Sequence, residues 1–134
     1  MQSFNALNIA KWLVHQHANK IPFGPLPKDL ALSNAKQAVA VQNEFVRIKA
    51  QQCGDVVGWK IALATPAMQK MVGLDAPTAG RLHRKQVVHA PADVTTKGYG
   101  RLLIEFEIAI QIGSNLLPSG MRHTGQSVAS AVSA

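Results

Sequence analysis

Glu105 and Glu107 are two of the chain's three glutamates, standing two residues apart in Leu-Leu-Ile-Glu-Phe-Glu-Ile-Ala-Ile-Gln-Ile at 102–112. Neighbouring carboxylates repel each other and are costly to bury unless a cation or a raised pKa relieves them. A hard divalent metal such as Mg²⁺ or Mn²⁺ takes oxygen ligands of this kind. Lys60, in Gly58-Trp59-Lys60-Ile61-Ala62, is the second candidate. Flanked by small residues, its amine would sit in a pocket, where partial desolvation lowers the pKa toward the range useful for proton transfer. Each has a plainer reading. A Glu-x-Glu pair is harmless on the solvated face of an amphipathic strand, and single lysines are common on sheet surfaces.

Strands are needed to hold both. In 102–112 the even positions Leu102, Ile104, Phe106, Ile108, Ile110 and Ile112 are all apolar, and Gly100 and Gly113 flank the run. Period-two alternation rich in β-branched residues predicts a strand, with both carboxylates on one face and an aliphatic wall on the other. Residues 56–63 predict a shorter strand. There Gly58, Lys60 and Ala62 share one face, and Val57, Trp59, Ile61 and Leu63 form the opposite, apolar one.

Helices precede these strands. Phe4, Leu7, Ala10, Lys11 and Val14 fall near helical spacing, with Trp12 and Leu13 widening the stripe, so 4–16 predicts a first helix. It ends before Asn19 and the Pro-rich connection 21–27, which is not helical. His15 and His17 resemble a ligand pair, but i,i+2 positions on a helix do not face each other. Ser33 is placed to cap a second helix over 34–52, with Ala38, Val41, Gln42, Phe45, Ile48 and Lys49 repeating at three and four and Gly54 as the stop.

Thr65 as cap, Pro66 in the first turn and Gly73 as terminator predict a short helix with Met68, Met71 and Val72 on its buried face. Residues 77–82 read as a turn into extended chain and 86–89 as a short strand. His83 and His89 have no ligand-like spacing. A last helix is expected over 126–134, with the chain stopping inside it.

At 134 residues the chain is the size of one domain, and its 47% hydrophobic content fits a folded protein. No apolar run reaches the roughly 18 residues of a membrane span, and the N-terminus lacks the pattern of a secretory signal. The one cysteine, Cys53, allows no internal disulfide, and a reducing cytoplasm is the default expectation. The net charge of +7 comes from 14 basic and 7 acidic residues. Arg81, Arg84 and Lys85 form the one tight basic group, and there is no basic stripe interleaved with aromatics. A positive field that draws in a small carboxylate therefore fits better than nucleic acid or a membrane. No Gly-x-Ser-x-Gly elbow, dinucleotide fingerprint or P-loop is present, and Cys53 reads as an inert thiol.

Three segments in order narrow the field: Gly58-Trp59-Lys60-Ile61-Ala62-Leu63-Ala64-Thr65, then 73–82 with Pro77, Gly80 and Leu82, then Ile104-Glu105-Phe106-Glu107-Ile108-Ala109. Together they resemble the 2-oxopent-4-enoate hydratase / 4-oxalocrotonate decarboxylase family of the fumarylacetoacetase-like superfamily. Ala40-Val41-Gln42 resembles the family's Tyr-Ala-Val-Gln motif. The resemblance implies an α+β fold. Its N-terminal helices, here 1–54, are followed by the first part of a mixed β-roll, here 55–134, within one incomplete domain.

It also implies that Glu105 and Glu107 match the family's metal-binding Glu-x-Glu pair for Mg²⁺ or Mn²⁺, and that Lys60 matches its active-site acid–base lysine. The substrate would be a small anionic 2-oxo acid, 2-hydroxypenta-2,4-dienoate, hydrated to 4-hydroxy-2-oxopentanoate in aromatic catabolism. The sister reaction is decarboxylation of 4-oxalocrotonate. Departures accompany the likeness. Ala62 replaces a common glycine, and Arg84-Lys85-Gln86 stands where many relatives carry an acid. The family's third metal carboxylate lies beyond the length of this chain, and Asp93 does not match it. A truncated or non-catalytic chain is thus a further expectation. It would form a homo-oligomer or pair with a related full-length subunit, because missing strands leave sheet edges and an apolar face uncovered.

Overall fold

The computed structural model describes residues 4–22, 24–100, 102–118 and 120–133. It divides into two compact units, Met1–Leu102 and Leu103–Ala134.

The first unit begins with helix α1, Ala6–Ala18, capped by Asn5, whose side chain accepts from the Asn8 N–H. A 3₁₀ turn at Lys28–Leu30 follows the proline-rich connection. Helix α2, Ala35–Cys53, follows. Its cap is Asn34, whose Oδ1 accepts from the Gln37 N–H at 3.0 Å, and not the expected Ser33. Ser33 instead donates its backbone N–H to Gln37 Oε1 at 2.8 Å, so Gln37 reaches back past the cap and the helix starts one residue later. Gly54 closes α2 at φ +78°, a left-handed conformation open to glycine at little cost.

The two helices pack along a small core of Ile9, Ala10 and Val41. Leu13, Leu26, Leu30, Phe45 and Ile48 surround it. The helical spacing placed Ala10 and Val41 correctly, whereas Phe4 is exposed because it precedes the helix.

Strand β1, Val56–Ala62, pairs antiparallel with strand β2, Thr78–His83, in a two-stranded sheet. The expected turn into extended chain at 77–82 is thus the start of a strand partner. Between the strands lies helix α3, Pro66–Met71, capped by Thr65 as its sequence predicts. Its expected apolar face is not buried. Met71 is 79% exposed, and Met68 and Val72 are exposed too. The buried residue is Gln69, whose Nε2 donates to the Leu63 carbonyl at 2.8 Å and so fixes the exit from β1. Hydrogen bonding, not apolar packing, seats this helix.

No strand forms over 86–89. Arg84–Gln86 is a 3₁₀ turn, held by the His83 N–H donating to Gln86 Oε1. Helices combined with a small antiparallel sheet are compatible with an α+β architecture.

In the second unit the expected strand over 102–112 is absent. Residues 102–111 carry no helix or strand, and Ile112 alone forms a bridge, to Val132. A strand exists by exchanging backbone hydrogen bonds with a neighbour. Among the described residues of this unit that exchange is confined to the end of the run. Gly113 N–H donates to Ala131 O at 2.8 Å, and Ser133 N–H donates to Gln111 O at 2.9 Å. Gly113 is required there, since a Cβ would lie 2.8 Å from Ser133 Cβ. The final helix is also shorter than expected. Helix α4 spans Gly125–Ala129, capped by Thr124, before 131–133 turn to pair with 111–114.

Candidate active site

Lys60 lies at the middle of β1, directly opposite Gly80 of β2. It is half-buried, whereas Trp59 and Ile61 on either side are exposed. The face expected to be the apolar wall is therefore the more solvent-exposed one. On the lysine's own face Gly58 is half-buried, and a Cβ there would meet Leu82 at ordinary van der Waals distance, while Ala62 is exposed. At Gly80 a Cβ would meet nothing within 4 Å, so the position across from Lys60 is open space.

On the other face Trp59 stands opposite Arg81, and the Arg81 guanidinium lies 4.6 Å from the Trp59 ring centroid. That guanidinium also reaches α2, donating to Gln42 Oε1 and to Asn43 Oδ1, each at 2.9 Å. The same Gln42 amide donates through Nε2 to the Ala79 carbonyl at 2.9 Å. Sequence reasoning singled out neither Arg81 nor Gln42 for this. The available signal was the pairing itself: aligning 57–62 with 78–83 as hairpin arms sets a tryptophan beside an arginine.

The end of the hairpin is tied separately. His83, 3% exposed, places Nδ1 2.8 Å from the Gly54 carbonyl oxygen, a contact in which the ring nitrogen donates. The Arg84 N–H donates to Asp55 O at 2.9 Å, and Lys85 Nζ donates to Gln52 O at 3.0 Å. His83 is thus a structural tie, and His89 is exposed. Beyond the turn, Lys85, Gln86, Val88, Asp93, Val94, Thr95 and Tyr99 line an open groove of about 540 Å³. The other histidine pair behaves as its spacing implies. His15 and His17 make separate contacts, His15 with Asn19 and His17 with Phe45, whose ring centroid is 5.2 Å away. Burial against α2, and secondarily the charge of Lys49, lower the His17 pKa below its usual value.

Glu105 and Glu107 belong to the second unit, and both are solvent-exposed. The alternate positions beside them are exposed as well, Phe106 at 98% and Ile108 at 92%. Among the described residues, no group of three or more His, Cys, Asp or Glu side chains is placed to hold a metal ion. No described helix is long and apolar enough to cross a membrane.

No family model and no solved structure matches the chain. A curated protein, 2-keto-4-pentenoate hydratase 2 of Dechloromonas aromatica (strain RCB), is 33% identical to it over 106 residues. The chain is similar to a hydratase. The match takes in 77% of this chain and 38% of that relative, so the chain spans well under half the relative's length.

Proposed function

We propose that the chain belongs to the 2-oxopent-4-enoate hydratase / 4-oxalocrotonate decarboxylase family and acts in the hydration of 2-hydroxypenta-2,4-dienoate to 4-hydroxy-2-oxopentanoate. The observation that carries this reading is the 33% identity to 2-keto-4-pentenoate hydratase 2. The half-buried Lys60, paired across the ladder with Gly80, supports it. In this reading the hairpin and helices are the first part of a fumarylacetoacetase-like β-roll, and the protein works in the cytoplasm on an aromatic-derived 2-oxo acid.

The chemistry asked of the protein is proton transfer. Ketonisation moves the proton of the 2-hydroxyl to C5. Water then adds its oxygen to C4 and a proton to C3 of the conjugated ketone. Lys60 Nζ would carry protons between these sites, a task suited to an amine partly withdrawn from water. The net charge of +7 favours approach of the anionic substrate.

Glu105 and Glu107 fit Mg²⁺ or Mn²⁺ by donor type, since both offer hard carboxylate oxygens and Mg²⁺ is often held by one or two carboxylates plus water. A cation bound there would supply Lewis-acid polarisation of the 2-oxo group. The chain would act as a homo-oligomer or beside a related full-length subunit.

The test is loss of dienol absorbance in the presence of Mg²⁺, run beside CO₂ release from 4-oxalocrotonate. Dienol loss without CO₂ release supports the hydratase, and the reverse outcome assigns the sister decarboxylase. No turnover of either, alone or mixed with a full-length hydratase subunit, removes the enzymatic reading and leaves a non-catalytic chain.

A further inference from the structure

A two-stranded hairpin is marginal by itself, so where Lys60 sits depends on what ties the hairpin to the rest of its unit. Two groups of side-chain ties stand out among the described residues. At the end of β2, His83 and Lys85 hold the C-terminal end of α2. At mid-strand the ties run through Arg81 and Gln42. Lys60 lies opposite Gly80, next in sequence to Arg81 and one residue from Trp59, against which the guanidinium stacks.

We infer that Arg81 is a positioning residue for Lys60: its planar fork joins Gln42 and Asn43 of α2 to the Trp59 ring and so fixes the mid-strand register from which the lysine projects. The fork matters more than the charge. A guanidinium satisfies two amide oxygens and a ring face at once, whereas an ammonium is a point charge on a flexible stem. Gln42 reinforces the device, because its amide is engaged at both ends, by Ala79 O and by Arg81.

This inference rests on the reading of Lys60 as the proton-transfer group, and the experiment separates the two. Turnover of the dienol is measured for the wild type, Lys60→Met, Arg81→Ala and Arg81→Lys. Arg81→Ala is then repeated with millimolar guanidinium or methylammonium. A displaced catalytic group predicts a kcat lower by about 10- to 100-fold with KM little changed. Guanidinium should restore much of that loss, and neither methylammonium nor the Arg81→Lys substitution should do so.

A residue needed only for stability would lower the urea midpoint and leave the kcat of the folded protein unchanged. Full kcat in Arg81→Ala, or a loss that guanidinium does not repair, overturns the inference. Full activity in Lys60→Met overturns the reading of Lys60 beneath it. A readout independent of turnover is acetylation of lysines at limiting reagent, mapped by mass spectrometry. The share of label at Lys60 should rise in Arg81→Ala and fall back with guanidinium, and an unchanged share also overturns the inference.

Discussion

Lys60 and Gly80 face each other across the β1–β2 ladder, and the glycine stands where no atom lies within 4 Å of the Cβ it lacks. Its backbone needs no left-handed φ, so neither conformation nor crowding requires a glycine there. A glycine inside a strand costs backbone entropy on folding. Gly80→Ala should therefore raise stability by about 0.4–1 kcal/mol, read from the urea midpoint. If substrate occupies the space beside Lys60, the same variant raises KM for the dienol. A gain in stability with KM unmoved would remove that space from the binding site.

If Lys60 transfers protons as proposed, its loss shows in turnover and not in folding. Lys60→Met should lower kcat by about 10²- to 10⁴-fold while leaving the urea midpoint close to that of the wild type. Glu105→Gln and Glu107→Gln each remove a hard anionic donor and should weaken Mg²⁺ binding in titration calorimetry. Unchanged Mg²⁺ affinity in both would exclude the pair as ligands.

The start of α2 offers a sharp comparison between neighbours. Asn34 supplies the capping oxygen for Gln37, so Asn34→Ala should cost about 0.5–2 kcal/mol. Ser33 contributes through its backbone N–H, which alanine retains, so Ser33→Ala should stay within about 0.5 kcal/mol of the wild type. Chemical denaturation of the two variants checks the order.

His17 sets a pH dependence. Its pKa in the fold lies below the ordinary value of 6.5, mainly because burial disfavours the charged ring and secondarily because of Lys49. The unfolded chain then binds the proton more readily than the folded one. The contribution to stability is present above pH 6.5 and is lost as pH falls through the lowered folded value. Urea midpoints measured from pH 7 downward should fall less steeply in His17→Gln than in the wild type. Lys49→Met should flatten the curve only in part, because desolvation is the larger cause.

The parts of the fold legible in the sequence are those decided locally. The body of α1, the stop at Gly54 and the Thr65-Pro66 start of α3 follow from periodicity and caps that lie within a few residues, though α1 runs Ala6–Ala18 and not 4–16 because its cap is Asn5. The run at 102–112 forms no strand despite its alternation, for the opposite reason. Alternation says which face each side chain takes once a strand exists, but the hydrogen bonds that make the strand come from elsewhere in the chain, and here they reach only Gln111 to Ser114. The burial of Gln69 and His83 was hidden for a related reason. Each is buried through a bond to a distant backbone carbonyl, Leu63 or Gly54, that no spacing rule anticipates. Lys60 was legible as a strand residue, but the arginine on the opposite face was not legible as its anchor.

The doubly engaged amide of Gln42 also constrains how this chain can vary. Glutamate at 42 would keep an acceptor for Arg81 and lose the donor to Ala79 O, while lysine or arginine would keep a donor and lose the acceptor. None of these three changes serves both ends, so a charged residue at 42 calls for a second change at 81. Across homologous sequences, positions 42 and 81 should accordingly substitute together, glutamine accompanying arginine and departing with it.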